Sequence, residues 1–454
     1  MQFAVTDPCY IPSQRYTSVE LFELERSRLW PRAWQMACRL EEVPAVGDFV
    51  EYTICDESIL VVRTAPDSVA AYFNACRHRA TQLGVGSGHF GGGQITCPFH
   101  GWRWHLDGRN CHVHGETGFD PRCLEPSDLA LRSCRTATWG GCVFVNPDPS
   151  AAPLEEALAP VSALLDPLGV DRMQVRWWKS VILQANWKLA QEAFMEAFHV
   201  PQTHPQLTLG GAADDSPEAQ EYFVHPGGHS HFQNRPKRST GDGGEVARRG
   251  GPRTVDPVEM VIASSRLLCE GLDAMTLPRD LEAIEALRER SDLAAGSKSV
   301  GAAVVEAVYD HAARAGVAMP QPDPSVISRW GGMFFLFPNY FILPQYANAL
   351  IYRSRPNGSD PESCLFELWS VTLPAGDPAP SRPLCEGPFR PDDAEAWPTI
   401  PLQDFSNIER QQRGLHTAGL DHLRLSSRYE AGIANMHQEL DRYLAAEPSP
   451  EQPV

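Results

Sequence analysis

The chain has 454 residues, 43% of them hydrophobic and 21% charged, with a formal net charge of −18 at pH 7. These are the proportions of an ordinary globular protein with room for two or three domains, and the acidic balance argues against nucleic acid or an anionic membrane surface as a partner. No apolar run approaches the roughly 18–20 residues of a membrane span.

Met1 to Arg15 lacks a basic region followed by an apolar stretch, so no secretory signal is expected and the cytoplasm is the expected compartment. Ser18 to Leu29 reads as a helix, carrying Val19, Leu21, Phe22, Leu24 and Leu29 among charges, and Pro31 interrupts it; residues 1–33 form an arm. From Trp34 to Asn146 the texture is short alternating strands, among them Phe49–Ile54, Ser58–Arg63, Val69–Asn74 and Trp139–Val145. A small all-β domain over residues 34–150 is expected, closing in the Pro-rich stretch Asn146–Pro153.

Residues 151–454 are mixed. A strand over Arg172–Leu183 leads to a helix from Trp187 to about His199, then to Gly- and Pro-rich loops over Gly210–Pro257. A helical Ala/Glu/Arg-rich block, Val258–Ala318, is broken by Pro278 and Gly296. Strands return at Gly332–Leu343, Ala347–Arg353 and Cys364–Thr372, and one long amphipathic helix is predicted from about Leu402 to Ala445. Runs of strands with long terminal helices make the fold class α+β. There is no internal repeat, and only the last few residues read as disordered.

Twelve cysteines at irregular spacing in a long, unsecreted chain point to mostly reduced thiols, some of them metal ligands. Cys76-Arg77-His78 and Cys97-Pro98-Phe99-His100 each present one thiolate and one imidazole, 18 residues apart. Such loops suit a two-iron cluster with sulfur on one iron and nitrogen on the other; neutral imidazoles reduce the negative charge there and raise the reduction potential. The same donors also suit a Cys₂His₂ zinc site, although zinc usually pairs Cys with Cys and His with His. Two buried cysteines beside two surface histidines is the plainest alternative.

The run Cys97-Pro98-Phe99-His100-Gly101-Trp102, continuing to Leu106-Asp107-Gly108, resembles the Rieske proteins. The high-potential members have an extra cysteine in each loop; Arg79-Ala80-Thr81 and Phe99 lack it, which points to the oxygenase branch.

A second set of donors follows Asn186. Glu192, Glu196 and His199 fall on one helical stripe opposite Trp187, Ala190, Phe194 and Phe198. His199 and His204 are about 140° apart on an ideal helix, so Pro201 and Pro205 must distort it if the two are to converge. Two histidines need an anionic third ligand, and Asp404 is the best candidate, on a stripe with Ile408, Gln411 and Leu415 and in a first helical turn. Taken alone, Glu192, Glu196 and His199 equally describe a solvated helix face.

This segment resembles the mononuclear-iron motif of the ring-hydroxylating Rieske oxygenases, and Gln403-Asp404 with Gln412-Arg413-Gly414-Leu415 resembles their ligand helix. The resemblance implies Cys76, His78, Cys97 and His100 on a [2Fe–2S] cluster and His199, His204 and Asp404 on Fe(II), with Asp392, Asp393 and Glu409 as fallback carboxylates. It implies that Glu196 bridges His199 to His100 of a neighbouring subunit, and that Asn186 lies near the iron. Most relatives have aspartate where Glu196 stands; glutamate resembles a smaller group acting on quaternary amines.

The implied fold is an all-β Rieske domain plus a helix-grip (START/Bet v 1-like) catalytic domain, an antiparallel sheet around a long C-terminal helix, with 258–318 as a helical insertion. The implied function is that of a terminal oxygenase acting with O₂ on an aromatic or other hydrophobic small molecule, or alternatively an oxidative O- or N-demethylase that includes quaternary amines. Electrons would come from NAD(P)H through a ferredoxin reductase, a ferredoxin or both; a homotrimer is implied, and a small β subunit is allowed.

Among the remaining residues, His225, His229 and His231 sit near Pro and Gly and read as exposed loop histidines, with a place lining the substrate channel as the alternative. Cys111, Cys123, Cys134 and Cys142 read as buried small hydrophobes, and Arg77, Arg79, Arg103 and Arg109 as a basic patch for an acidic electron donor or as structural ion pairs.

Overall fold

A computed structural model of the chain describes residues 3–209, 216, 218–235, 256–294, 299–323, 326, 332–376 and 382–446. Much of the expected loop region at 210–257, the break at Gly296 and the C-terminal tail lie outside the described residues.

The arm forms strand β1 (Tyr10–Pro12) and helix α1 (Val19–Leu24), which a wide turn prolongs to Leu29. Ser18 starts α1, its hydroxyl accepting from the Leu21 N–H at 3.2 Å. Next come β2 (Gln35–Arg39), β3 (Asp48–Ile54), β4 (Glu57–Ala65), β5 (Ser68–Phe73) and β6 (Ser87–His89). Strands β7 (Gln94–Thr96), β8 (Arg103–His105) and β9 (Asn110–His112) make a separate three-stranded sheet. With β10 (Ser133–Trp139) and β11 (Cys142–Asn146), the larger sheet has the order β2-β11-β10-β5-β4-β3-β6. The single strand expected at Trp139–Val145 is in fact the turn of a hairpin: Gly140 and Gly141, at φ 59° and 74°, supply the paired left-handed residues of a tight β-turn.

Further strands and helices include β12 (Gln174–Leu183), α2 (Trp187–Glu192), β13 (Gln220–Val224), β14 (Ser230–Asn234), α3 (Pro257–Leu272), α4 (Pro278–Glu285) and α5 (Val300–Arg314). They continue through β15 (Met333–Leu336), β16 (Tyr340–Gln345), β17 (Asn348–Asn357), β18 (Asp360–Thr372), β19 (Glu386–Phe389), α6 (Thr399–Gly414), β20 (His422–Arg424) and α7 (Ala431–Ala445). Eight strands form one sheet, β13-β14-β15-β16-β17-β18-β12-β19, antiparallel except for β19 beside β12. Phe405 and Ile408 of α6 and Ile433, Met436 and Leu440 of α7 share one core with Leu183, Phe335, Phe341, Phe366 and Leu368 of the sheet. At about 25 cal/mol per Å² of apolar surface, this burial is the main force pressing α6 onto the sheet.

Four sequence expectations change here. The long C-terminal helix is two helices: the chain leaves α6 at Gly414 so that β20 can pair with β1, and only then begins α7. The strand expected at Gly332–Leu343 is a hairpin opened by Phe337-Pro338-Asn339. Part of the expected loop at 210–257 is the edge pair β13 and β14. Pro278 opens α4 rather than breaking a helix, as its missing N–H permits at a first position.

The two large sheets are joined by buried polar contacts. Arg353 of β17 is ion-paired with Glu367 and donates to the Met36 and Ala37 carbonyls of β2, each at 2.7 Å. Both charged side chains are 2% exposed, and Glu367 also accepts from Arg355 at 3.1 Å, so losing Glu367 would strip the buried Arg353 of its counter-charge.

Candidate metal centres

Cys76 and Cys97 begin two turns of the same construction. The Cys76 N–H donates to the Thr81 carbonyl while the Ala80 N–H donates back to the Cys76 carbonyl; the Cys97 N–H donates to Trp102 and the Gly101 N–H back to Cys97. The fourth residue after each cysteine is left-handed, Ala80 at φ 59° and Gly101 at φ 69°. Glycine adopts this region freely; alanine does so only under constraint.

These turns bring His78 and His100 together with ring centroids 4.7 Å apart. His78 stacks on Trp102 at 4.9 Å, and burial pushes the Cys76 thiol up, with the neighbouring Cys97 thiol adding to the effect. The Nδ1 atoms of both His78 and His100 are buried without a hydrogen-bond partner. Two such orphans beside two thiols carry a desolvation cost of about 1–3 kcal/mol each unless something binds them. Two sulfurs and two imidazole nitrogens are the donor set of a Rieske cluster, so the residues fit that group.

On the surface side, exposed Phe99 packs at a tilt against His100, centroids 3.8 Å apart, and the Arg79 guanidinium lies 5.6 Å over the Phe99 ring. Arg77, Arg79, Arg103 and Arg109 are all exposed; Arg109 is paired with Asp107. Cys134 and Cys142 are buried as expected. Cys111 and Cys123 are exposed, on the small outer sheet and on a surface turn.

The second group starts at α2. Asn186 caps it, its Oδ1 accepting from the Lys188 N–H and its Nδ2 donating to the Pro361 carbonyl, so both polar ends of that side chain serve the cap and its docking. α2 ends at Glu192, seven residues before the expected point, and Glu192 therefore shares no helical stripe with Glu196 and His199. Glu196 caps the next turn: one oxygen accepts from the His199 N–H at 3.0 Å and the other lies 2.6 Å from His199 Nδ1. Short helices follow at Val200–Thr203 and Pro205–Leu209, and His204 sits at the joint between them. The two prolines do redirect the chain.

Asp404 comes from α6, 6% exposed, in its second turn rather than its first. Ile408, Gln412 and Leu415 turn inward with it, whereas Gln411 faces solvent. His199, His204 and Asp404 each offer one donor atom, and these atoms lie within 4.8 Å of one another. His204 Nε2 is 2.9 Å and His199 Nε2 4.0 Å from Asp404 Oδ1. His204 Nδ1 is 2.8 Å from Gln403 Oε1. Both ring nitrogens of His204 thus face atoms that only accept, a geometry that calls for a cation, proton or metal, between Nε2 and Asp404. Burial opposes a charge on His199, but Glu196 and Asp404 outweigh it and raise its pKa. The site's field attracts cations. Among the fallback carboxylates, Asp392 pairs with Arg390, Asp393 caps Glu395 and Ala396, and Glu409 accepts from the Gln184 N–H.

Sequence reasoning missed a buried network beneath this segment. The Tyr16 hydroxyl lies 2.9–3.0 Å from both oxygens of Glu192 and 3.0 Å from His437 Nε2, which is itself 2.8 Å from Glu192. Arg15 Nε–H donates to His437 Nδ1, so the ring proton must sit on Nε2. Burial pushes Glu192 up to about 8 and His437 well down. More than 400 residues separate Arg15 and Tyr16 from His437, and no local pattern joins them. His229 and His231 are buried, not exposed: His229 accepts from the Phe337 N–H and donates to the Ala157 carbonyl, and His231 lies between the rings of Phe223 and Phe334.

Aromatic rings pack beside Asp404. Phe194 stacks on Tyr352 at 4.5 Å and on Phe366 at 5.3 Å, and Phe405 approaches Phe366. Burial raises Tyr352 well above its usual range, and the Asp404 charge adds to the effect.

Residues 33–119 match the Rieske [2Fe-2S] domain, and residues 170–446 match the ring-hydroxylating alpha subunit (catalytic domain). The chain is 29% identical over 197 residues to the glycine betaine monooxygenase oxygenase subunit of Pseudomonas aeruginosa, covering 43% of this chain and 45% of that one. It is 31% identical over 220 residues to the carnitine monooxygenase oxygenase subunit of Escherichia coli (47% and 55%), and 35% over 215 residues to the anthranilate 1,2-dioxygenase large subunit of Acinetobacter baylyi (45% and 44%). The matched stretch spans about half the length of these curated relatives. The fold is that of a quaternary ammonium Rieske monooxygenase solved with L-carnitine (TM-score 0.63, 17% identity, 98% of each chain). It is likewise that of naphthalene 1,2-dioxygenase from Rhodococcus sp. (TM-score 0.59, 21% identity, 98% and 96%). The match over 170–446 covers more than half of the chain, which therefore belongs to the ring-hydroxylating alpha-subunit family, the Rieske non-haem iron oxygenases.

Proposed function

We propose that the chain is the terminal oxygenase of a Rieske system, with Cys76, His78, Cys97 and His100 holding a [2Fe–2S] cluster and His199, His204 and Asp404 holding Fe(II). The observation that carries this reading is the convergence of two imidazole Nε2 atoms and one buried carboxylate, with both Nδ1 atoms already engaged. Two neutral donors and one anion leave part of a metal's coordination sphere open. When bound, the cluster supplies electrons singly and the ferrous ion supplies the place where O₂ is activated.

The chain's own residues do the rest. Glu196 holds the proton of His199 on Nδ1 and so keeps Nε2 free to ligate. Phe194, Tyr352, Phe366 and Phe405 exclude water from the Asp404 side, and half-buried Phe194 is the ring of the four with surface left for a small hydrophobic substrate. An aromatic or other hydrophobic molecule, mono- or dioxygenated, is the first substrate class. Oxidative attack on a quaternary amine is the second, favoured by Glu196 in place of the usual aspartate and by an aromatic face that also suits a cation. Electrons would arrive through a reductase, a ferredoxin or both, with exposed Phe99 and its arginines as the entry surface in a trimer where Glu196 meets a neighbour's cluster.

The test is a single turnover. Protein reduced with dithionite and supplied with ferrous iron is mixed with ¹⁸O₂ and either an arene or a quaternary amine. Label in a hydroxylated arene identifies the first class, and aldehyde release from the amine identifies the second. Iron-replete protein that gives neither across a panel of both substrate types contradicts the proposal.

A further inference from the structure

Gln403 stands next to Asp404 but points at the other end of the site. Its Oε1 lies 2.8 Å from His204 Nδ1 and 2.8 Å from Gln206 Nε2, while its Nε2 donates to Gln206 Oε1 at 3.3 Å. The two amides form a reciprocal pair, and such a pair orients both groups. One lone pair of Gln403 Oε1 goes to Gln206 and the other faces His204. Because an amide oxygen only accepts, His204 must carry its proton on Nδ1, and the lone pair of Nε2 is aimed at Asp404.

The two imidazoles are thus held by different chemistry. His199 rests on the Glu196 carboxylate, whereas His204, only 2% exposed, rests on a neutral amide that a second amide locks in place. An anionic acceptor makes an imidazole the stronger donor to a metal, and a neutral one leaves it weaker. The Gln403–Gln206 pair supplies one accepting oxygen without adding a second negative charge.

We propose that Gln403, clamped by Gln206, is the positioning residue for His204, fixing its tautomer and ring orientation for metal binding. This rests on the reading of His199, His204 and Asp404 as metal ligands. Exchanging Gln403 for a side chain of similar size without an acceptor leaves His204 Nδ1–H buried and unpaired. The ring then rotates or changes tautomer to find a partner. Outer partners of ligating histidines typically account for 10–100-fold in metal affinity.

The experiment titrates Mn(II) into protein stripped of its mononuclear metal but keeping an oxidised cluster, following free Mn(II) by electron paramagnetic resonance. The oxidised cluster has no signal of its own, and its visible circular dichroism reports an intact fold. Gln403→Leu is expected to weaken Mn(II) binding about 10–100-fold, and Gln403→Glu to restore it to within about threefold of wild type or better, because the acceptor returns. Gln206→Leu, which leaves the acceptor but frees it, is expected to lose less than Gln403→Leu, and it carries the test if Gln403→Leu disturbs the cluster dichroism. Binding by Gln403→Leu within twofold of wild type, failure of Gln403→Glu to rescue, or an unchanged Gln206→Leu where that variant carries the test, overturns the proposal. His204→Ala separates the two levels: if it binds Mn(II) like wild type, the ligand assignment itself is wrong.

Discussion

The two candidate centres are built in opposite ways. Around Cys76 and Cys97 the backbone does the positioning: two turns with matching hydrogen bonds present donors only 24 residues apart, and the histidine Nδ1 atoms are left without partners. Around Asp404 the side chains do it: donors 200 residues apart in sequence meet on packed elements, and both Nδ1 atoms are already bonded. The difference teaches how each centre would take its metal. Under the proposed ligand sets the orphaned Nδ1 atoms would ligate in the first centre, and in the second the engaged Nδ1 atoms would leave Nε2 to do so. It also implies that the first centre should fail locally and the second through any element that moves α6.

The largest expected effect follows from removing the anion of the second centre. Asp404→Ala should lower substrate-dependent O₂ uptake by at least about a hundredfold, beyond the usual loss for an outer partner, while the visible spectrum of the cluster stays unchanged. Loss of both would mean that the centres are not independently built. Next, His100→Cys puts a charged thiolate where a neutral imidazole stood, and the cluster potential should fall by about 100 mV or more; protein-film voltammetry reads this, and an unchanged potential rules out His100 as a ligand.

A smaller effect concerns the packed side alone. Glu192 faces Tyr16, His437, Lys188, Arg15 and Glu430, and burial raises it to about 8, against about 4.5 when unfolded. Between these values the folded chain holds a proton that the unfolded chain has lost, so stability falls as pH rises. Glu42, raised to about 7 by burial, has the same sign. His437, held neutral, has the opposite sign, but only below about pH 6.5. The urea midpoint of wild type should therefore drop from pH 6.5 to pH 8, and Glu192→Gln should flatten that drop by about 1 kcal/mol per pH unit. A slope that survives the substitution assigns it to other groups.

The smallest effect belongs to the backbone-built side. Ala80 occupies a left-handed position that its counterpart Gly101 fills without strain. Ala80→Gly should change unfolding free energy by between zero and about +1 kcal/mol, relief of strain offset by unfolded-chain entropy. A clear loss would show that the Ala80 methyl packs against something that matters.

The same contrast explains what could be read in the sequence. The four donors proposed for the cluster were legible because short loops encode their own geometry, and the prolines at 201 and 205 announced that His204 must depart from helical spacing. Asp404 was legible through its neighbours, although its turn in α6 and the inward side of that helix were misjudged. The end of α2 was not legible, because Glu192 is drawn into contacts with Tyr16 and His437 that no local period encodes. Nor was the split between α6 and α7, since β20 breaks away to pair with a strand more than 400 residues earlier. Gln403 stood in plain view beside Asp404, but its role needed Gln206 and the ring of His204 to be placed.

The most direct measurement is iron and acid-labile sulfide per chain in wild type, Cys97→Ala and Asp404→Ala, each reconstituted anaerobically. Two separately built centres predict about three irons and two sulfides, about one and none, and about two and two, respectively. Zinc in place of iron and sulfide, a colourless wild type, or an Asp404→Ala protein that loses its sulfide as well would contradict the account.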